Sequence, residues 1–386
     1  MAIAQKKIGI FAGYFLPHMG GVERYTDKLS AALAKMGYEV VIVTANHGKL
    51  KEYERLDKQR RVYRLPIHGV ASSRYPIPKT NSVYRRLIQR IEAEKIDVFI
   101  VNTRFHLTSI AGARMGKRQH RPVLLIEHGT DHFSVGSKSL DRLGLVYEHA
   151  LTRSLKKYID KYYGVSKNCT IWLKHFSIKA SGVFYNAVDP ADQKTVKDYY
   201  ADQYPKDELV IAYAGRLIRE KGVLNLLEAF MQFRRSRPNL KARLVIAGDG
   251  PLLESIKRDY DDPAVAVLGR LDFAHVMALY KRADIFVYPS LYPEGLPTSI
   301  LEAGLMNCAL IATPRGGTEE VIVDGDHGII MDGSVASLRS AIGRLAADSK
   351  LRAAMAQAVK HRIEKVFNWD AVAKQVAREV SSFNTR

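Results

Sequence analysis

The chain has 386 residues, of which 47% are hydrophobic and 26% charged, as is usual for soluble globular proteins. This length predicts two or three domains with buried cores and excludes a disordered chain, a collagen-like repeat and a coiled-coil rod. The only two cysteines are Cys169 and Cys308, so neither a disulfide framework nor a thiolate metal site is expected. The apolar runs are too short for a signal peptide or a membrane span, which predicts a cytoplasmic protein.

The positive charge is concentrated in the first half of the chain. The whole chain has 59 basic and 40 acidic residues, a net charge of +19. Residues 1–190 hold 32 of the basic and 15 of the acidic residues, so the second half is nearly neutral. This asymmetry predicts an anionic partner for the first half, with nucleic acid, an acidic lipid surface and a phosphorylated ligand as alternatives.

The first half contains short apolar runs without alternation, a pattern typical of parallel strands buried on both faces. These predicted strands are Ile8–Ala12, Val40–Ala45, Asp97–Val101, Val123–Glu127 and Tyr162–Val165. Between the first two, apolar residues recur every three or four positions from Val22 to Met36, which predicts a helix. A strand, a helix and a strand in this order predict a right-handed βαβ unit.

The same pattern begins again near residue 209. The predicted strands are Leu209–Ala214, Arg243–Ala247, Ala264–Leu268, Asp284–Tyr288, Ala309–Ala312 and Gly328–Met331. Helices are predicted at Val223–Phe233, at Thr298–Met306 and from Val335 onward, and the polar segment Asp189 to Glu208 is predicted to be a linker. The sequence therefore predicts two doubly wound α/β domains, residues 1–190 and 191–366, that face a cleft.

Ligands of such sheets bind beyond the carboxyl ends of the strands, so the loops there are the candidate sites. Gly20-Gly21 precedes the first helix, where free backbone N–H groups can hold a phosphate, although a tight turn would have the same pattern. Arg216 and Lys221 follow the first strand of the second half and can both reach a diphosphate, or can be ordinary surface charges. Gly248-Asp249-Gly250-Pro251 is predicted to be a structural turn.

The segment from Pro289 to Ala303 carries the most specific pattern. Glu294 lies in a loop and Glu302 lies about one turn into the following helix, whose N-terminal end contains Thr298 and Ser299. A carboxylate can accept two sugar hydroxyls, and helix N–H groups can bind phosphates. A capped amphipathic helix would also contain a first-turn Glu, but the combination favours a nucleotide-sugar site.

Five motifs in order give the chain a resemblance to the family-4 retaining glycosyltransferases of GT-B fold. They are Gly20-Gly21 with Val22-Glu23, Gly215-Arg216 with Glu220-Lys221-Gly222, Gly248-Asp249-Gly250-Pro251, Glu294 with Glu302, and Phe367-Asn368-Trp369. The resemblance implies a GT-B fold in which residues 367–386 form a helix that crosses back to the first domain. It also implies a nucleotide-sugar co-substrate, with no cofactor and no metal requirement.

The resemblance also implies the roles of individual residues. Arg216 and Lys221 would neutralise the departing diphosphate, Glu294 would hold the donor sugar, and His128 would lie near that sugar. The residues expected to bind the rest of the donor are Gly20, Gly21, Thr298 and Ser299 through their backbone, Glu302 at the ribose, and Arg270 and Leu271 at the base.

The first domain would hold the acceptor. Arg104, His106 and His132 follow predicted strands and are expected to face it. Basic stretches suggest peripheral docking on the inner face of the cell membrane, and the one from Tyr84 to Arg90 has an apolar side formed by Ile77, Val83, Leu87, Ile88 and Ile91. The other basic stretches are Arg74-Tyr75 to Lys79, Arg114 to Arg121 and Arg153 to Tyr158.

The function expected from these features is transfer of a hexosyl unit, from a UDP-sugar rather than GDP-mannose, to a lipid-linked or glycan acceptor in cell-envelope assembly. A GT-B sugar-nucleotide epimerase or a phosphorylase is an alternative, although the spacing of Glu294 and Glu302 argues against the epimerase. A nucleic-acid-binding protein is a remote alternative, because the sequence has no helix-turn-helix, zinc-finger or RNA-recognition motif. No nucleic acid is therefore expected as a partner.

Overall fold

The structure, a computed structural model, describes residues 6–18, 20–68, 76–132 and 138–383. It separates into two compact units, which we call the first unit (Met1–Asn186 with Trp369–Arg386) and the second unit (Ala187–Asn368). The predicted boundaries at residues 190 and 366 lie a few residues from these divisions. The predicted basic pair Arg74-Tyr75 lies outside the described residues.

The strands lie mostly where uninterrupted apolar runs occur in the sequence. They are β1 Lys7–Phe11, β2 Glu39–Ala45, β3 Tyr53–Arg55, β4 Arg60–Leu65, β5 Val98–Asn102, β6 Val123–Glu127, β7 Lys161–Gly164, β8 Gly182–Val183, β9 Leu209–Ala214, β10 Ala242–Ala247, β11 Val265–Gly269, β12 Ile285–Tyr288, β13 Ala309–Ala312 and β14 Ile329–Ile330.

The helices alternate with these strands along the chain. They are α1 Gly21–Lys35, α2 Ser82–Glu92, α3 Leu107–Arg118, α4 Lys138–Leu155, α5 Lys167–Leu173, α6 Asp192–Thr195, α7 Val223–Ser236, α8 Leu253–Asp259, α9 Phe273–Arg282, α10 Thr298–Leu305, α11 Thr318–Val321, α12 Val335–Ala347, α13 Ser349–Val366 and α14 Trp369–Ser382.

The first unit is built on an eight-stranded sheet in the order β3-β4-β2-β1-β5-β6-β7-β8. Its strand pairs are parallel except for β3 with β4, and Ile8 of β1 is in register with Val40 on one side and Val98 on the other. The sequence analysis missed β3, β4 and β8. Strand β4 has no apolar run because Arg60, Arg61 and Arg64 interrupt it, whereas β3 and β8 have only three and two residues.

Helix α14 belongs to the first unit although it ends the chain. It packs on α1, and the Trp369 ring meets the edge of the Tyr25 ring at 5.2 Å between centroids. Lys161 on β7 also pairs with Glu379 on α14. These contacts confirm the predicted helix that returns to the first domain, and residues Val372, Val376 and Val380 form its buried face.

The second unit is built on a six-stranded sheet in the order β11-β10-β9-β12-β13-β14, in which all the pairs are parallel. The strand order reverses between β9 and β12, so the loops that follow these two strands lie at the switch point where ligands of doubly wound sheets bind. The predicted strands of this unit agree with β9 and β13 in every residue and with the other four to within one residue at each end.

The predicted linker is part of the second unit rather than a solvated connection. Tyr200 and Tyr204 in this segment are buried, and the Arg282 side chain donates to the carbonyl oxygens of Tyr204 at 2.6 Å and Glu208 at 2.9 Å. The polar composition of this segment predicted a linker. The two buried tyrosines, however, provide enough apolar surface to hold the segment against the rest of the second unit.

The apolar side of α2 faces the protein interior, which corrects the expectation that it meets a membrane. Leu87 and Ile91 are fully buried in the core of the first unit, and Val83 and Ile88 pack against it. Burial of these side chains leaves only the basic face of α2 at the surface. Nearby Ile77 remains exposed, but it precedes the helix.

Helix α4 exposes the apolar surface that α2 does not. Leu143 and Val146 keep 68% and 65% of their surface accessible, and Leu145 and Tyr147 are also exposed. Among the residues that the structure describes, no helix is both long enough and apolar enough to cross a membrane. The exposed residues Leu143, Leu145, Val146 and Tyr147 therefore form an apolar patch on α4, whereas Leu155 at the end of the helix is buried in the core of the first unit.

Candidate functional site

The loop after β9 places Arg216 at the surface of the second unit. Leu217 anchors this loop, because its side chain is buried and its N–H donates to the Asp249 carbonyl at 2.9 Å. Gly248 and Gly250 allow this close approach, since a Cβ atom at either position would lie within 2.6 Å of a backbone oxygen of the loop. The predicted turn at Gly248–Pro251 thus supports the loop that carries Arg216.

Lys221 is directed inward by the residue that follows it. Gly222 has a φ of +71°, and a Cβ there would lie 2.1 Å from the Pro289 carbonyl oxygen. Only glycine fits this combination of a left-handed backbone and a close neighbour. As a result, Lys221 is nearly buried and lies beside the loop that follows β12.

The Glu294 carboxylate is the centre of a hydrogen-bonded cluster. Its Oε1 atom accepts from the Lys221 ammonium, from the Tyr288 hydroxyl at 2.7 Å and from the Ser290 hydroxyl at 3.1 Å. Lys221 also donates to the Tyr288 hydroxyl at 3.1 Å. Burial, followed by the Glu294 charge, raises the pKa of Tyr288 well above its ordinary value, so this hydroxyl stays protonated and available as a donor.

Arg216 and Lys221 meet at one aromatic ring. The Arg216 Cζ atom lies 5.6 Å and the Lys221 Nζ atom 5.2 Å from the centroid of the Tyr292 ring. These distances are within the range of cation–π attraction. The structure thus brings together, at the carboxyl end of the sheet, the two residues that are predicted to bind the diphosphate.

Helix α10 begins directly after this loop. Its N-cap is Pro297, whose side chain cannot accept a hydrogen bond, so the N–H groups of the first turn, which include those of Thr298 and Ser299, are not capped by it. Both residues are half-buried, and Glu302 is buried one turn further on. The helix therefore presents its positive dipole end beside the Glu294 loop.

Arg270 and Leu271 follow β11, at the same end of the sheet. Arg270 is exposed and Leu271 is half-buried. The Gly248 N–H donates to the Gly269 carbonyl at 2.8 Å, so these two residues lie next to the Gly248–Pro251 turn. Arg270 and Leu271 thus lie at the carboxyl end of the sheet, where a segment that binds the base is expected.

In the first unit, α1 begins with Gly20 and Gly21. Gly20 is the N-cap in an extended conformation, and a Cβ at Gly21 would meet nothing within 4 Å. Glu23 in the first turn is buried and lies 3.2 Å from the His18 ring. The open space at Gly21 leaves the helix terminus accessible.

His128 is held by a chain of hydrogen bonds. Its Nε2 lies 3.0 Å from the Asn102 Oδ1, and the Asn102 amide donates to the Thr26 hydroxyl at 2.9 Å. Because an amide oxygen can only accept, Nε2 carries the ring proton and Nδ1 keeps its lone pair. Burial, with a smaller contribution from His106, lowers the pKa of His128 to about 3, so the ring is neutral near pH 7.

The strand end that supplies Asn102 continues into an unusual backbone conformation. Thr103 has a φ of +65°, which is rare for a β-branched residue. Its N–H donates to the Ile126 carbonyl at 2.9 Å, which ties β5 to β6 just before His128. Backbone strain of this kind is concentrated at functional sites.

Arg104 does not face an acceptor, which corrects the sequence expectation. Its side chain is completely buried between two buried carboxylates, Glu127 at 2.6 Å and Glu148. The other oxygen of Glu127 accepts from the N–H groups of His128 and Gly129, each at 3.1 Å. Arg104 is thus a positioning residue for the loop that carries His128.

His106 and His132 occupy different environments. The His106 ring packs against Gly13, where a Cβ would lie 1.9 Å from its Nδ1, and burial lowers the pKa of His106 to about 4. His132 is partly exposed, and its Nδ1 lies 2.8 Å from the second oxygen of Glu148. Of the three predicted acceptor residues, His132 therefore has the clearest surface position.

Several residues at these sites were not found from the sequence: Thr26, Asn102, Glu127, Glu148, Tyr288 and Tyr292. Asn102 and Glu127 end strands, so the rule that ligands bind beyond strand termini could have found them. Glu148 lies within a helix, where it resembles any other charged residue. Its importance depends on burial, which the local pattern does not indicate.

Two family profiles match the chain and together cover most of it. The profile described as Glycosyltransferase Family 4 matches residues 19–192, and the one described as Glycosyl transferases group 1 matches residues 200–362.

Relatives of the chain are similar along its length. An uncharacterized glycosyltransferase from Methanocaldococcus jannaschii is 27% identical, with 96% of each chain covered. An alpha-monoglucosyldiacylglycerol synthase from Acholeplasma laidlawii is 26% identical, over 84% of this chain and 85% of the relative. A GDP-mannose-dependent alpha-(1-6)-phosphatidylinositol monomannoside mannosyltransferase from Mycolicibacterium smegmatis is 25% identical, over 95% and 96%.

Solved structures share the fold. Sucrose-phosphate synthase from Thermosynechococcus elongatus has a TM-score of 0.75 at 20% identity, with 98% of this chain and 99% of that chain covered. HepE from Anabaena, solved in complex with UDP, has a TM-score of 0.74 at 19% identity, with coverage of 98% and 100%. The solved structures show the GT-B fold, and the two family profiles with the relatives that match along the chain show that it is a glycosyltransferase of family 4.

Proposed function

We propose that the protein transfers a hexosyl unit, with retention of anomeric configuration, from a UDP-sugar to a lipid-linked or glycan acceptor in cell-envelope assembly. The observation that carries this proposal is the convergence of Lys221, Arg216 and the start of α10 around Glu294. Glycosyl transfer leaves negative charge on the departing diphosphate, and fixed cations and helix N–H groups stabilise such charge without reorganisation.

In the proposed reaction, the diphosphate binds Arg216, Lys221 and the N–H groups of Thr298 and Ser299, and Glu302 accepts the ribose hydroxyls. Lys221 then exchanges part of its contact with Glu294 for a phosphate oxygen, which frees the carboxylate to accept sugar hydroxyls. The departing phosphate takes the acceptor proton as the acceptor attacks the same face. No divalent cation takes part, so the rate is expected to be the same with and without added Mg²⁺.

The remaining predicted donor contacts belong to the same proposal. Gly20 and Gly21 provide backbone N–H groups, Arg270 and Leu271 line the base, and neutral His128 contributes a hydrogen bond to the sugar. The similar fold of HepE in complex with UDP supports a uridine nucleotide. The name of the mycobacterial relative contains GDP-mannose, so GDP is the alternative nucleotide to compare with UDP.

A thermal-shift screen with UDP, GDP, ADP and CDP tests the donor site. A nucleotide at 100 times its dissociation constant stabilises the fold by about 2.7 kcal/mol, and we expect UDP to do so. Glu302→Ala should remove the shift, whereas Glu254→Ala, a change of an exposed glutamate on α8, should keep it. The proposed donor site is wrong if no nucleotide raises the melting temperature of the wild type, or if a nucleotide raises that of Glu302→Ala by the same amount.

The anomeric configuration requires a separate measurement. Once the screen identifies the nucleotide, NMR of the first product formed from an α-linked donor should show an α-linked sugar. A β-linked product would contradict retention. Release of the sugar to phosphate without an acceptor would instead indicate a phosphorylase.

The acceptor side of the proposal places the first unit on an anionic membrane surface at the inner face of the cell membrane. The net positive charge of residues 1–190 and the exposed patch Leu143–Tyr147 on α4 support it. The names of two relatives, a glucosyldiacylglycerol synthase and a phosphatidylinositol monomannoside mannosyltransferase, point to lipid acceptors.

Sedimentation with vesicles that contain anionic lipid at low salt tests this docking. The wild type should co-sediment, and Leu143→Glu with Val146→Glu should reduce the bound fraction by at least 10-fold. Val323→Glu, which changes an exposed apolar residue of the second unit, is the matched control and should bind as the wild type does. Equal binding by the α4 variant would exclude this patch as the docking surface.

A further inference from the structure

Three histidines from separate parts of the first unit converge at one point. His132 follows β6, His149 lies on α4, and His175 lies in the 3₁₀ turn Lys174–Phe176 after α5. One ring nitrogen of each lies within 4.8 Å of those of the other two. The sequence separations between them match no metal-binding motif, so the cluster is recognised only from the folded structure.

The distance between two of these nitrogens fits a metal site. The Nε2 atoms of His149 and His175 are 3.3 Å apart. Zinc binds histidine nitrogen at about 2.0–2.1 Å in tetrahedral geometry, which places two ligand nitrogens about 3.3–3.4 Å apart. This separation therefore suits two ligands of one zinc ion, and it also suits a hydrogen bond from one ring N–H to the other ring nitrogen.

The third histidine has the carboxylate partner that metal-bound histidines usually have. His132 Nδ1 lies 2.8 Å from the Glu148 carboxylate, which is completely buried. A carboxylate that accepts from one ring nitrogen leaves the other without a proton and makes it more basic. His132 therefore offers Nε2 as a ligand, with Glu148 as its supporting carboxylate.

The buried charges beside the cluster are unbalanced in the direction that a cation would correct. Arg104 faces both Glu127 and Glu148, and all three side chains are completely buried. One guanidinium opposes two carboxylates, and a buried excess charge is costly unless it is compensated. A dication bound to His132 would be separated from the Glu148 carboxylate only by the His132 ring.

We propose that His132, His149 and His175 form a binding site for a divalent transition metal, with Zn²⁺ as the preferred ion. Three protein ligands leave the fourth position for water, as in zinc sites that remain open. The ion would tie α4 to the loop after β6 and to the turn after α5. This role is separate from glycosyl transfer, for which no metal is expected.

An aromatic cluster without metal is the competing explanation. The His175 ring stacks on Trp172 at 4.8 Å with an interplanar angle of 5°, and Phe176 meets both rings edge-on. Packing alone accounts for that stacking. A hydrogen bond between His149 and His175 accounts for the approach of those two rings. Neither interaction accounts for the third ring nitrogen or for the buried carboxylate behind His132.

The test is a metal titration of the full-length, tag-free protein after chelator treatment. Co²⁺ should bind with a stoichiometry of one and give the visible absorption of a tetrahedral site, and calorimetry should show one Zn²⁺. His149→Ala with His175→Ala should lower the affinity at least 100-fold. His275→Ala with His361→Ala removes two histidines of the second unit and should leave it unchanged.

Glu148→Gln provides a second variant that keeps the side-chain shape. It should weaken Co²⁺ binding 10- to 100-fold, as is usual for loss of a supporting carboxylate. Absence of stoichiometric binding by the wild type would overturn the proposal in favour of the aromatic cluster. Binding that survives in folded His149→Ala/His175→Ala protein, as judged by circular dichroism, would overturn it too.

Discussion

The two units each contain a cluster of opposite charges at the carboxyl end of a sheet, but the clusters are built differently. In the first unit, Arg104 is sealed between Glu127 and Glu148 with no exposed surface. In the second unit, the Lys221 and Glu294 side chains keep 11% and 15% of their surface, and Arg216 nearby is exposed.

This difference separates a positioning function from a binding function. A completely buried pair cannot exchange a partner for a ligand, since breaking it leaves a charge without water or a counterion. A partly exposed lysine can exchange a carboxylate for a phosphate oxygen at lower cost. The first cluster therefore holds the His128 loop in place, whereas the second can take part in donor binding.

Arg104→Ala should have the largest effect, on stability. Removing one partner of a buried ion pair typically costs about 3–5 kcal/mol, and here two carboxylates lose their cation. Urea unfolding should report this loss. Arg86→Ala, which breaks the exposed pair with Glu52, is the control and should cost at most about 1 kcal/mol. Similar losses for the two variants would contradict the distinction between sealed and exposed pairs.

Lys221→Ala should reduce catalysis more than stability. Loss of one preorganised group that stabilises developing charge lowers rates by about 10²–10³-fold. The measurement is kcat/KM for transfer, with the donor nucleotide that the thermal-shift screen identifies. Lys257→Ala on α8 changes an exposed lysine and should leave kcat/KM unchanged. If the two variants were equally active, Lys221 would have only a structural role.

Gly222→Ala should disturb the binding cluster through the backbone. The left-handed conformation and the contact with the Pro289 carbonyl should cost about 1–3 kcal/mol in urea unfolding and should move Lys221. Gly343→Ala in α12, where a Cβ meets nothing within 4 Å, should instead stabilise the protein by about 0.5–1 kcal/mol. Equal effects of the two substitutions would show that the Gly222 conformation is not required.

The pH dependence of stability should come partly from the first unit. Burial lowers the pKa of His106 to about 4 and that of His128 to about 3, so below pH 6.5 the unfolded chain binds protons that the folded chain does not. The free energy of unfolding is therefore at its full value, as far as these two histidines are concerned, above pH 6.5. It decreases as the pH falls below 6.5, by up to about 1.4 kcal/mol per pH unit for each histidine.

Urea midpoints between pH 7 and pH 4 should therefore fall less steeply in His128→Asn than in the wild type. His361→Ala, which removes an exposed histidine, should keep the wild-type slope. Identical slopes for all three proteins would show that the pKa of His128 is not lowered in the folded protein.

Local patterns along the chain were sufficient for most of the fold. The uninterrupted apolar runs predicted β9 and β13 in every residue, because strands buried on both faces have no polar side to interrupt them. The donor-side motifs were also local, because each one follows a strand and precedes a helix. Strand β4 was missed because arginines interrupt its apolar pattern. Only the fold shows how they are accommodated, since Arg61 pairs with the distant Glu39 and Glu94.

The sequence by itself determined the two α/β domains, the family resemblance and the residues that follow each strand. The tertiary structure decided which of those residues are accessible. Arg104 and Arg216 both follow a strand, yet one is sealed between two carboxylates and the other is exposed. Likewise, Leu87 and Ile91 of α2 are buried while Leu143 and Val146 of α4 are exposed. Burial depends on what long-range contacts place over a residue, and this is why neighbouring sequence could not predict it.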